Sequence, residues 1–220
     1  LYSSDQKIEE MFTLSGWGGR VLPETSDVQM VVDANLASLK TDPVVNRTIK
    51  YQLGRNLQGN WVGRTTIVYE HTGSFDYKTS RYRTYTRLYT PVGTQLVGVE
   101  GSLLNDATQN PTGAPGSIDI GEDLGLAVFG TFTSIEPGET RELIFEYLLA
   151  DSVVEAINDS KYDLTVYKQL GSRDYALTLE LDFDKTVTHA SPAEDDGEWG
   201  NDTYLLNTIL DQDHVLSVEL

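Results

Sequence analysis

Residues 194–202, Glu-Asp-Asp-Gly-Glu-Trp-Gly-Asn-Asp, crowd carboxylates around two glycines, the kind of hard oxygen set that calcium takes. Asp195, Asp196, Glu198 and Asp202 are the candidate calcium ligands. Their spacing is not the Asp-x-Asp-x-Asp-Gly of an EF-hand, and a solvated acidic loop has the same composition. Asp119, Glu122 and Asp123 form a second, weaker cluster, while Asp211 and Asp213 read as turn formers. A contrasting group is Arg81, Arg83, Tyr85, Arg87 and Tyr89, which alternate along one predicted strand and so share a face. Flat rings and directional donors equip that face to stack sugars or dock an acidic partner. Pairing of the arginines with acids on neighbouring strands is the competing reading. Tyr51, Tyr69 and Tyr77, read as exposed, would extend the same surface.

Catalytic chemistry has little to stand on. His71, His189 and His214 are scattered and make no His-Glu-x-x-His spacing. There is no Gly-x-Ser-x-Gly elbow. With 34 acidic residues any glycosidase-like carboxylate pair arises by chance. The absence of cysteine removes disulfides, thiolate metal sites and a thiol nucleophile together. No catalytic residue is assigned, and the chain reads as a non-enzyme. A Lys-Asn isopeptide cross-link would need Lys40 or Lys50 beside Asn201 or Asn207 and a buried acid.

The elements that must carry these groups are β-strands. With 39% hydrophobic residues in a chain of 220, a core can form without staples. The formal charge of −18 repels phosphate backbones and anionic lipid headgroups, so nucleic acid and membrane contact are not expected. Alternating stretches at 48–53 and 61–69 predict a hairpin, the second placing Trp61, Gly63, Thr65, Ile67 and Tyr69 on one face. Further hairpins are predicted for 126–133 with 141–148 across Pro137-Gly138, for 162–169 with 175–183, and for 204–210 with 214–219. Residues 101–125 are irregular and long for a loop. Near the start, Ser3-Ser4-Asp5 precedes helically spaced Ile8, Met11, Phe12 and Leu14, and Trp17 with Gly18 and Gly19 predicts a turn. The expected fold is mainly β: an antiparallel β-sandwich, immunoglobulin-like or an enlarged Greek key, with a short N-terminal helix. Residues 1–27 would hold the helix and turn and 28–220 the sandwich, with a division into subdomains near 101–125 left open.

Three motifs in order resemble the C-terminal part of the DUF4012 family, uncharacterised bacterial membrane-anchored proteins. They are Met30-Val31-Val32-Asp33-Ala34-Asn35 with Lys40-Thr41-Asp42, Tyr82 to Gly93 ending in Pro91-Val92-Gly93, and Phe129-Gly130-Thr131-Phe132 with Pro137-Gly138-Glu139-Thr140. The segment from Lys7 to Arg20 looks like the end of the helical region that precedes the family's sandwich. The resemblance spans most of residues 5–185 and implies an extracytoplasmic, cell-envelope setting with the membrane anchor in an upstream segment. It implies no reaction. The expectation is a non-catalytic module that acts as a stalk or binds protein or glycan at the cell surface. An accessory domain of an envelope enzyme and a self-assembling surface-layer subunit are the alternatives.

Overall fold

The computed structural model describes residues 3–15, 19, 21, 26–194, 197 and 199–220. Its architecture follows from alternation. Along β3 (Trp61–His71) every second residue from Trp61 to His71 is buried, so one face of the strand meets a core. The same pattern runs through β2 (Val45–Arg55) and β4 (Tyr82–Thr90). Ten further strands complete two sheets: β1 (Asp27–Asn35), β5 (Gln95–Glu100), β6 (Ile118–Asp123), β7 (Leu126–Ile135), β8 (Thr140–Leu148), β9 (Lys161–Tyr167), β10 (Tyr175–Asp182), β11 (His189–Ser191), β12 (Thr203–Leu210) and β13 (His214–Glu219). Seven strands pair in the order β11-β13-β9-β1-β4-β7-β6 and six in the order β12-β10-β2-β3-β8-β5. One continuous apolar core between the sheets includes Ile49, Ile67, Leu88, Phe129, Phe145, Leu164, Leu179 and Phe183.

The β-sandwich expectation holds, with two refinements. Each sheet is mixed, because β1 runs parallel to β9 and β2 parallel to β10. Both sheets draw strands from either side of residues 101–125, and that stretch contains β6.

The predicted hairpins are corrected by topology. The pair β2 and β3 is a hairpin. The stretches joined by Pro137-Gly138 are not, since β7 belongs to the seven-stranded sheet and β8 to the six-stranded one. The same is true of β9 with β10 and of β12 with β13. Turn chemistry supplies the reason. Glu139 N donates to Glu136 O at 2.9 Å, Pro137 occupies the first central position, and Gly138 follows with φ of +82°, which is a type II turn. A type II turn splays its flanking strands, whereas a hairpin needs the mirror-image turns. The β6–β7 connection shows the contrast: Leu124 and Gly125 both have positive φ, 55° and 75°, as a type I′ turn requires, and these two strands do pair.

Helix α1 (Gln6–Leu14) forms as predicted, with Asp5 accepting from Lys7 N at 2.9 Å and Ile8 N at 3.3 Å. Ile8, Met11 and Leu14 are exposed. The predicted Trp17 turn lies outside the described residues. A second helix, α2 (Asp151–Asn158), buries Val153 and Ile157 against the core. No helix among the described residues is long and apolar enough to cross a membrane.

The arch at Pro137-Gly138 gives a direct test. A Cβ on Gly138 would meet nothing within 4 Å, so Gly138→Ala isolates the cost of the left-handed backbone. That cost is about 1 kcal/mol, and the urea midpoint should fall accordingly. An unchanged midpoint would show that the turn does not need this conformation.

Candidate functional site

The inward row of β1 is polar. Asp27, Gln29, Val31 and Asp33 point between the sheets, while Val28 and Met30 pack on the outer side of the seven-stranded sheet with Tyr89, Leu126 and Tyr167. Carboxylates buried in this position require donors. Asp27 Oδ2 accepts from the Tyr51 and Tyr162 hydroxyls, each at 2.6 Å, and its Oδ1 accepts from Val28 N at 2.8 Å. Next along the row a closed ring forms. Thr65 Oγ1 donates to Gln29 Oε1 at 2.8 Å and Gln29 Nε2 donates to Tyr147 Oη at 2.8 Å, which leaves Tyr147 to donate to Thr65 Oγ1 at 2.9 Å. Gly63 makes room for that tyrosine, since a Cβ there would lie 2.4 Å from Tyr147 Cε2.

At the C-terminal end of β1 the row opens into a cleft of ≈ 460 Å³. Asp33 Oδ1 accepts from Tyr69 Oη and Thr86 Oγ1 at 2.7 Å each and from Thr84 Oγ1 at 3.3 Å. Its Oδ2 pairs with Arg47 Nη1. The guanidinium stacks on the Tyr175 ring, 4.1 Å from its centroid. Ion pair and ring together hold the arginine flat in the floor of the cleft, and its side chain is 9% exposed. The rim is an arch, residues 168–174, tied down on three sides. Gln169 exchanges side-chain hydrogen bonds with the Asp33 backbone at 2.8 and 3.0 Å, extending the β9–β1 pairing past its end. Arg173 donates to Pro43 O, and Lys168 Nζ reaches Ser172 O at 2.8 Å and Asp174 at 3.4 Å.

Burial pushes the Asp27 carboxyl above its ordinary value, against the lowering effect of the Tyr162, Tyr51 and Val28 hydrogen bonds. Burial and the neighbouring carboxylates likewise push the Tyr51, Tyr162 and Tyr69 hydroxyls well up, so these phenols remain donors. Desolvation is the largest influence on the Arg47 charge and works against it, but the Asp33 carboxylate together with Tyr175, Tyr69 and Tyr82 outweighs it and the guanidinium stays protonated.

The residues singled out in the sequence fall elsewhere. Arg81 and Arg83 converge on Asp106, at 3.2 and 2.7 Å, and Arg81 also meets Glu136 at 2.9 Å. The segment between β5 and β6 is thereby pinned to the sheet. Burial alone would raise the Asp106 carboxyl, but hydrogen bonds from Arg83 and Thr108 N and the two arginine charges bring it down to about 2. Tyr85 donates to Asp119, and Tyr89 donates to Asp123 at 3.2 Å, so the second acidic cluster lies along β6 beside this face. Arg87 sits over the Tyr85 ring at 5.6 Å. Tyr51 and Tyr69 are corrected from surface to core, because both face inward and are 0% exposed; Tyr77 is exposed.

Asp195, Asp196 and Glu198 lie outside the described residues, and Asp202 is exposed. Among the described residues no three His, Asp or Glu side chains stand together as metal ligands. Lys50 pairs with Glu180 at 2.5 Å on the outer face, and Asn207 accepts from Thr178 at 2.9 Å, so this lysine and asparagine stand on the solvent side of the sheet. His71 is fixed by accepting from Gly73 N at 3.1 Å and donating to Ser80 O at 2.7 Å.

The sequence reading missed Asp27, Asp33 and Arg47. The signal was available in Asp27-x-Gln29-x-Val31-x-Asp33, a polar row at period two opposite the apolar Val28-x-Met30-x-Val32 row.

No protein-family model matches the chain, and no curated protein matches its sequence. Among solved structures it is similar to a "putative nutrient binding protein" of Legionella pneumophila, at 10% identity and a TM-score of 0.49, over 88% of this chain and 71% of that one. It is also similar to an M1 zinc metallopeptidase of Deinococcus radiodurans, at 10% identity and a TM-score of 0.32, over 84% of this chain. The chain spans 43% of that peptidase. At these scores the functional reading rests on the chain's own geometry.

Asp27 makes a prediction about pH. A folded-state value above the unfolded one, ~4, means the native protein holds this proton more tightly than the unfolded chain. The resulting stability is complete at low pH and is lost as pH rises through the folded value. Asp27→Asn has no such proton, so its stability relative to wild type should improve from pH 4 towards 8 in urea titrations. Parallel pH profiles would contradict the shift.

Proposed function

We propose that this domain is a non-catalytic binding module that takes a small polar ligand in the cleft between the 42–47 segment and the 168–174 arch. The observation that carries the reading is the cleft floor. It holds a rigid, charge-balanced Asp33–Arg47 pair under an opening of ≈ 460 Å³, within the ~300–1,000 Å³ of small-molecule sites. A cleft with a few fixed polar groups and largely preformed walls is how such sites orient a ligand. The non-catalytic part is supported by the commitment of the candidate acid–base groups. Asp33 already accepts four hydrogen bonds, and both ring nitrogens of His71 are engaged. A cell-envelope setting is supported by the ordered resemblance of motifs within residues 5–185 to DUF4012.

Amide-resolved NMR titration with a panel of neutral sugars, sugar acids, amino acids and phosphate tests the reading. At least one class should cause saturable shifts grouped on residues 42–47, Tyr69, Tyr82 and 169–176. Saturable shifts confined to other surfaces, or none at all, would overturn it.

A further inference from the structure

The Arg47 guanidinium donates to Asp33 through Nη1. Among the described residues Nε and Nη2 have no hydrogen-bond partner, yet neither is sealed away from solvent. These two nitrogens form the side-on edge of the guanidinium, whose parallel N–H bonds match the two oxygens of a carboxylate or phosphate. The fork is held still by the Tyr175 ring at 4.1 Å and by the Asp33 ion pair, so little rotamer freedom remains to be lost on binding. Its setting is also selective in charge. The cleft is lined by Asp33, Asp42 and Asp174 against Arg47 and Arg173, and Lys168 stands 3.4 Å from Asp174. In a chain of −18 this is a nearly balanced spot. Because Asp33 already balances the Arg47 charge, a monoanion on the free edge of the guanidinium leaves the site with one net negative charge and a dianion leaves it with two, which a poorly solvated floor tolerates less.

We propose that the ligand is a monoanionic carboxylate, seated with both oxygens on Arg47 Nε and Nη2; this rests on the cleft being the binding site. The probes are N-acetylglycine, its neutral isostere N-acetylglycinamide, inorganic phosphate and methyl glucoside, each titrated into the ¹⁵N-labelled domain while the Arg47 Nε–H resonance and the cleft amides are followed. N-acetylglycine should shift Arg47 Nε–H saturably and bind about tenfold or more tightly than the amide, as expected for a charge-assisted bidentate pair. Arg47→Lys, which keeps the charge and removes the fork, should weaken N-acetylglycine by about tenfold.

Equal or tighter cleft binding of the amide or the glucoside would overturn the carboxylate assignment and leave the cleft as a binding site. Tighter binding of phosphate would overturn it in favour of a phosphorylated ligand. If none of the four probes moves the cleft resonances, the carboxylate assignment falls, and the binding-site reading falls with it when the wider panel of sugars, sugar acids and amino acids is silent as well. Undiminished carboxylate affinity in Arg47→Lys would overturn the role of the fork, and the wild-type titrations decide the class even if that variant folds poorly.

Discussion

A carboxylate carried between two β-sheets costs several kcal/mol unless donors meet it there, and β1 carries two. Asp27 and Asp33 lie on the same face, six residues apart, in the central region of the seven-stranded sheet. Their donors come from both sheets: Tyr51 of β2, Tyr69 of β3 and Arg47 of β2 on one side, Thr84 and Thr86 of β4 and Tyr162 of β9 on the other. A one-residue slip of β1 would turn both acids to the outer face and bring Val28 and Met30 inward, leaving five hydroxyls and a guanidinium without their acceptors. The apolar core supplies the bulk of the burial. The polar row fixes which residue of β1 faces which residue of the opposing sheet.

That row also explains where the cleft lies. At the Asp27 end the hydroxyls close over the carboxylate and the network is sealed. At the Asp33 end the strands part, and the arch of residues 168–174 stands at the opening rather than filling it. The ion pair there is a continuation of the core network that happens to reach solvent. Its rigidity derives from the same tyrosines and threonines that stabilise the sandwich, so the site sits on strands, with only its rim on a loop.

Much of the fold was legible in the sequence because alternation reports burial directly. β3 and β4 show it, with Trp61 to Tyr69 and Tyr82 to Thr90 facing the core as their period demanded. Partner choice was not legible, since a strand's pattern says which face is buried and not which sheet it joins. The turn residues did carry that information. Pro137-Gly138 encodes a splaying type II turn, and β7 and β8 part accordingly. β6 was overlooked because it is an edge strand rich in acids, and even its Ile120 is exposed, so no buried apolar row marks it. The site was hidden by a reasonable assumption. An apolar row, Val28-Met30-Val32, was free to face the main core, yet β1 is covered on both sides and turns its polar row inward. Tyr51 and Tyr69 were likewise read as surface, while they are buried with Tyr147 and Tyr162 and serve as hydroxyl donors, or in Tyr147 as a relay.

Asp33 and Arg47 act as one unit that organises this end of the sandwich. The most direct measurement is a double-mutant cycle of Asp33→Asn, Arg47→Met and their combination, followed by urea denaturation. Removing one partner strands the other in a buried site, so each single change should cost about 3–5 kcal/mol. The double variant should lose far less than the sum, with a coupling of about 2 kcal/mol or more. Additive losses would mean that the two side chains are stabilised independently and that the ion pair is not the constraint on which the cleft depends.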